Sequence, residues 1–62
     1  MSGFTTKNST YYVDSQRKLI TGGKLGGAFK VFTDAKIIVG MPAIIIFEDG
    51  SIMRTGTVLS YI

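Results

Sequence analysis

The chain has 62 residues, seven basic and four acidic, a formal charge of +3, and neither cysteine nor histidine. That length admits one domain and excludes disulfides, thiolate chemistry, imidazole bases and nearly every zinc site. A chain so short buries only roughly 60% of the surface its unfolded form exposes, so association is the device left for covering apolar surface.

Residues 1–8, MSGFTTKN, are small and polar apart from Phe4. They are expected to form a flexible N-terminal segment, with a single domain over residues 9–62. They lack the apolar stretch of a secretory signal, and no run in the chain approaches the roughly 18 apolar residues of a membrane span. A cytoplasmic protein without membrane contact is the expectation.

STYYVD offers Tyr11, Tyr12 and Val13, residue types that suit a pleated surface. DSQR reads as a polar turn and KLIT as the returning strand. After the glycine-rich run comes AFKVFTD, where alternation puts Phe29 and Val31 on one face and Lys30 and Phe32 on the other. The scarcity of large side chains assigns Phe29 and Val31 to the core. AKIIVG is a further strand, ended before Pro42, which has no amide proton to offer a ladder.

AIIIFEDGSIMRT carries the clearest local signal. Asp49-Gly50 between two apolar runs predicts a hairpin with a two-residue type I′ turn. That register would set Phe47 opposite Ile52, Ile46 opposite Met53 and Ile45 opposite Arg54. Residues 43–47 are apolar without alternation, so both faces of this strand should leave water. One face can line a core; the other, with Ile44, Ile46 and Met53, is expected to pack on another subunit or a partner protein. RTGTVLSYI then gives a polar break and a closing strand, and no window shows helical periodicity with a cap.

The run TGGKLGGAFK raises the question of a phosphate cradle. A P-loop needs GxxxxGK followed by Ser or Thr between a strand and a helix, and the dinucleotide fingerprint needs GxGxxG. Neither frame fits residues 22–27, and no helix follows to supply aligned amides. A small nest of glycine amides assisted by Lys24 is the weaker possibility. A loop that uses glycine to reverse direction is the plainer one.

Catalysis has little to build on. Asp14, Asp34, Glu48 and Asp49 all fall at expected turns, and no histidine is present to activate a hydroxyl. A non-enzymatic protein is expected, with no metal and no cofactor. Nucleic-acid binding is the alternative function, since small barrels combine basic grooves with aromatic platforms. Its candidate contacts are Lys24, Lys30, Phe32, Lys36 and Arg54. These cations are spread over several segments, and the aromatics are also needed for packing.

KIIVGMPAIIIFEDGSIMRTGTVLSY, together with the opening NSTYYVD, resembles a loose group of very short proteins of phages and prophages of Gram-positive bacteria. The shared elements are Gly40-Met41-Pro42, the apolar strand 43–47, Asp49-Gly50 and the run Arg54-Thr55-Gly56-Thr57-Val58-Leu59-Ser60. The resemblance implies a protein that acts by binding host or phage macromolecules, in the host cytoplasm, and it assigns no role to individual residues.

The expected fold is therefore all-β, a small SH3-like barrel of five to six short antiparallel strands; the alternative is a five-stranded open sheet that dimerises. The expected function is a self-associating binding module, a homo-oligomer or one that takes a protein partner, encoded by a phage or prophage as a regulator or inhibitor of a host protein.

Overall fold

Strands dominate the computed structural model, which describes residues 2–62. They are β1 (Ser2–Thr5), β2 (Thr10–Asp14), β3 (Leu19–Gly22), β4 (Lys30–Lys36), β5 (Pro42–Phe47), β6 (Ile52–Thr57) and β7 (Ser60–Tyr61), with one 3₁₀ turn at Gly23–Leu25. The chain is all-β as expected. Every paired neighbour is antiparallel, in the order β6-β5-β4-β3-β2-β1-β7.

This seven-stranded sheet does not close, which corrects the expected SH3-like barrel. β6 and β7 stand at opposite ends of the strand order and are joined only by Val58 and Leu59. The Val58 amide donates to the Met41 carbonyl at 3.0 Å, whereas the Leu59 amide donates to the Thr5 carbonyl at 2.8 Å. Each linking residue is thus held by a different strand neighbourhood, so β6 and β7 follow one another and form no ladder. The alternative of an open sheet is nearer, but the sheet has seven strands where five were expected.

Part of that difference lies at the N-terminus. Met1 lies outside the described residues, but β1 is a strand laddered between β2 and β7, where a flexible segment was expected. The reason is Phe4, which is fully buried and stacks on Tyr11 directly across the ladder, ring centroids 5.0 Å apart. Burying a ring of that size contributes about 1.5–3 kcal/mol, which anchors a short polar segment. Around this pair the core gathers Val13, Ile20, Phe32, Ala43, Ile45, Phe47 and Val58.

Two further corrections concern side-chain placement. In β4 the alternation is as expected but the faces are exchanged: Phe32 is buried, while Phe29 and Val31 are 55% and 41% exposed. Lys30 can share the inner side because it sits at the rim, its ammonium 4.2 Å from the centre of the Phe47 ring. In the β5–β6 hairpin the register is displaced by one residue. Ile46 faces Ile52, Ile45 faces Met53 and Ile44 faces Arg54.

The displacement arises from the turn. The Gly50 amide donates to the Phe47 carbonyl at 3.0 Å and the Phe47 amide to the Ser51 carbonyl at 2.8 Å, leaving three residues in the loop. Gly50, at φ 88°, occupies the left-handed position that such three-residue loops require. The Asp49 carboxylate then accepts from the Ser51 amide at 2.9 Å and the Ser51 hydroxyl at 2.6 Å. The hydroxyl bond, followed by the amide bond, holds the Asp49 carboxyl below its ordinary 3.8.

Gly50→Ala should destabilise the fold by about 1–2 kcal/mol through the left-handed backbone alone, read by urea denaturation, with Gly50→Asn costing less. Because the folded-state pKa of Asp49 is depressed, the contribution of its turn bonds is present above the ordinary carboxylate range and fades as pH falls through the depressed value. A carbon-detected NMR titration of the Asp49 carboxyl should therefore show a midpoint below 3.8.

Candidate functional site

The glycine loop is built around a phenol. Tyr11 is buried, and its hydroxyl accepts the Lys24 amide proton at 3.2 Å. A Cβ on Gly23 would lie 2.2 Å from the Tyr11 ring, so residue 23 has no room for a side chain. Three further amides of the loop are turned to neighbouring carbonyls: Gly22 to Gly26, Gly26 to Gly23, and Ala28 to Leu25. The Lys24 ammonium is bonded too, donating to the Arg54 carbonyl at 2.8 Å. These donors serve the lid over Tyr11 and the flank of β6, which leaves the plainer reading of the loop.

The second surface lies on the outside of β4, β5 and β6. Along β5, Ala43, Ile45 and Phe47 are buried, and Ile44 and Ile46 alternate with them on the other face. Residues directly opposite in a ladder share a face. The pairings therefore set two cross-strand rows on the outside, Lys36–Ile44–Arg54 and Asp34–Ile46–Ile52. Ile52 is 65% exposed. Beside the first row lies a shallow depression of about 130 Å³, lined by Ile38, Met41, Pro42 and Ile44 between Lys36 and Arg54.

Of the residues expected on this face, Ile44 and Ile46 are brought together and Met53 is not. The one-residue displacement of the hairpin pairs Met53 with Ile45 and packs it, half-buried, against the core. Of the expected nucleic-acid contacts, Lys36 and Arg54 flank Ile44, and Lys24 adjoins Arg54. Lys30 stands apart over Phe47, and the buried Phe32 ring offers no face to a base. The exposed aromatics Tyr12, Phe29 and Tyr61 are not in either row. Asp34 and Ile52 were missed from sequence, because each reaches the outer face through a register irregularity or shift that alternation does not show.

The four acids are dispersed. The Asp14 carboxylate accepts from the Gln16 and Arg17 amides within its turn, Asp49 serves the β5–β6 loop, Glu48 is exposed, and Asp34 lies in the second outer row. The open side of the sheet forms a hollow of about 460 Å³ among Val13, Phe32, Ile37 and Tyr61, with Lys18 and Asp34 at its margin. Tyr61 clasps this side: its hydroxyl donates to the Ile37 carbonyl at 3.0 Å and accepts from the Val39 amide at 3.3 Å. Among the described residues no helix is long and apolar enough to cross a membrane. No protein-family model, no curated protein and no solved structure matches the chain.

Gly23→Ala should destabilise the protein by about 2 kcal/mol or more, because the methyl must displace the Tyr11 ring or the loop. Gly27→Ala should cost far less, since open space surrounds that position. Tyr11→Phe should cost about 1 kcal/mol through the orphaned Lys24 amide and speed that amide's hydrogen exchange. A fall in stability for Gly27→Ala equal to that for Gly23→Ala would refute the lid.

Proposed function

We propose that the protein is a non-enzymatic binding module that self-associates through the outer face of β4, β5 and β6. One observation carries the reading. A sheet face left to water ordinarily alternates with polar residues, yet β5 is apolar on both faces, and its outer isoleucines continue into the exposed Ile52. The occupant of that face is a second copy of the chain.

Scale sets the strength. A standard interface takes about 800 Å² from each partner, which would be about a fifth of the 3950 Å² that this chain exposes. A face centred on two rows of three residues supplies less, which places the contact among the smaller, weaker interfaces. The sequence resemblance supports a narrower form of the same reading, a phage- or prophage-encoded regulator or inhibitor that acts on a host protein by contact.

Light scattering over a dilution series, at low and at high salt, tests the reading. Apolar association should persist at about 0.5 M salt, where exposed charges are screened beyond a few ångströms. Ile46→Thr should weaken it by about tenfold or more while leaving the thermal transition nearly unchanged, because the side chain points away from the core. A monomer at every concentration would overturn the reading. Salt-sensitive binding of short DNA or RNA that is lost in Lys36→Ala would replace it with the nucleic-acid function.

A further inference from the structure

The outer face has a polarity that the self-association reading leaves open. Its first row, Lys36–Ile44–Arg54, carries a cation at each end, and its second, Asp34–Ile46–Ile52, a single carboxylate above the same strand as Lys36. The rows lie about 7 Å apart along the strands, and each spans about 10 Å across them.

Two faces of this kind can pack about a two-fold axis in only two simple ways. An axis along the strands sets Lys36 of one copy against Arg54 of the other, twice, which juxtaposes like charges in a contact that also loses water. An axis across the strands, midway between the rows, exchanges the rows instead. Lys36 then meets the second copy's Asp34, Ile44 meets Ile46, and the aliphatic stem of Arg54 lies over the exposed Ile52, each contact occurring twice. The near-parallel strand directions suit aligned face-to-face packing of twisted sheets.

We infer that the chain forms an isologous face-to-face dimer about the axis across β4, β5 and β6, with its register fixed by Lys36 of each copy against Asp34 of the other. The inference rests on the self-association reading and adds the geometry and the residues that select it. The same charges that admit a second copy in this orientation disfavour the other one, so specificity comes from repulsion as well as attraction.

Charge exchange tests it, with dissociation constants from sedimentation equilibrium of the full chain. Asp34→Lys sets lysine against Lys36 twice and should weaken the dimer about tenfold or more, as should Lys36→Asp. The double variant Asp34→Lys with Lys36→Asp should recover to within about threefold of the starting chain, since the pairing is restored with its sign reversed. Lys7→Asp, an equal change of charge on the exposed β1–β2 loop, should leave the constant unchanged. Thermal unfolding of each variant checks that these exposed substitutions preserve the fold.

If the dimer is lost in Ile46→Thr but indifferent to the Asp34 and Lys36 exchanges, the register is overturned and the self-association reading stands. If Arg54→Asp tightens the dimer, the axis along the strands is the correct one and this inference fails. A starting chain that stays monomeric throughout overturns both.

Discussion

The Tyr11 ring occupies the space that any side chain at position 23 would need, and its hydroxyl takes the Lys24 amide proton. Most of the architecture depends on that one packed phenol. Its ring stacks on Phe4, which converts a polar N-terminal stretch into β1 and so provides the strand that β7 joins. Its hydroxyl organises the glycine loop, whose Leu25 packs on the core and whose Lys24 reaches the Arg54 carbonyl of β6. A single side chain thereby ties β1, β2, the loop and the far end of the sheet. In a short chain without cysteine, such shared contacts are what cooperative folding has to work with.

Much of this was legible in the sequence. The strands of β2 to β6, the Asp49-Gly50 turn and the glycine loop follow from residue types whose conformational demands are local, such as β-branched runs and the positive φ of Gly50. But AKIIVG, expected as a strand of its own, gives only Ala35 and Lys36 to the end of β4, and residues 37–41 form a connection. What failed depended on a count of residues between ladders. Asp-Gly serves both a two-residue turn and the last two places of a three-residue loop; the choice moves Met53 and Arg54 to opposite faces. Phe4 could not be assigned because the strand it pairs with is defined by the Tyr11 contact and not by its own neighbours. The exchange of faces in β4 reflects Lys30, whose long stem reaches the rim and frees Phe32 for the core. Of the candidate face, Ile44 and Ile46 were legible because a strand apolar on both sides shows itself without any register.

The charges on that face come from irregularity in the ladder. β4 carries an extra residue between Phe32, opposite Phe47, and Asp34, opposite Ile46. Thr33 fills the bulge and donates its hydroxyl to the Ile46 carbonyl at 3.3 Å. In β6 the ladder shifts again between the pairs of Ile44 and Pro42, and there the buried Thr55 hydroxyl accepts the Ala43 amide at 3.1 Å. At each irregularity a threonine hydroxyl thus bonds a backbone group of β5.

The consequence of the Thr33 bulge reaches the outer face proposed for self-association. Strict alternation from the buried Phe32 would send Asp34 and Lys36 inward and Ala35 outward. The extra residue reverses that parity, so Ala35 packs against the core while Asp34 and Lys36 stand beside the outer isoleucines. Had the strand been regular, both charges would turn toward the open side of the sheet, among Val13, Phe32 and Ile37, where their partial desolvation would weigh on so small a domain. The same device that keeps the core apolar therefore places opposite charges on consecutive outer positions of one strand, seven or so ångströms apart by ordinary strand geometry. A face with that spacing and a row of isoleucines beside it is complementary to its own image turned across the strands, so the bulge that turns these charges outward also gives the exposed face an orientation.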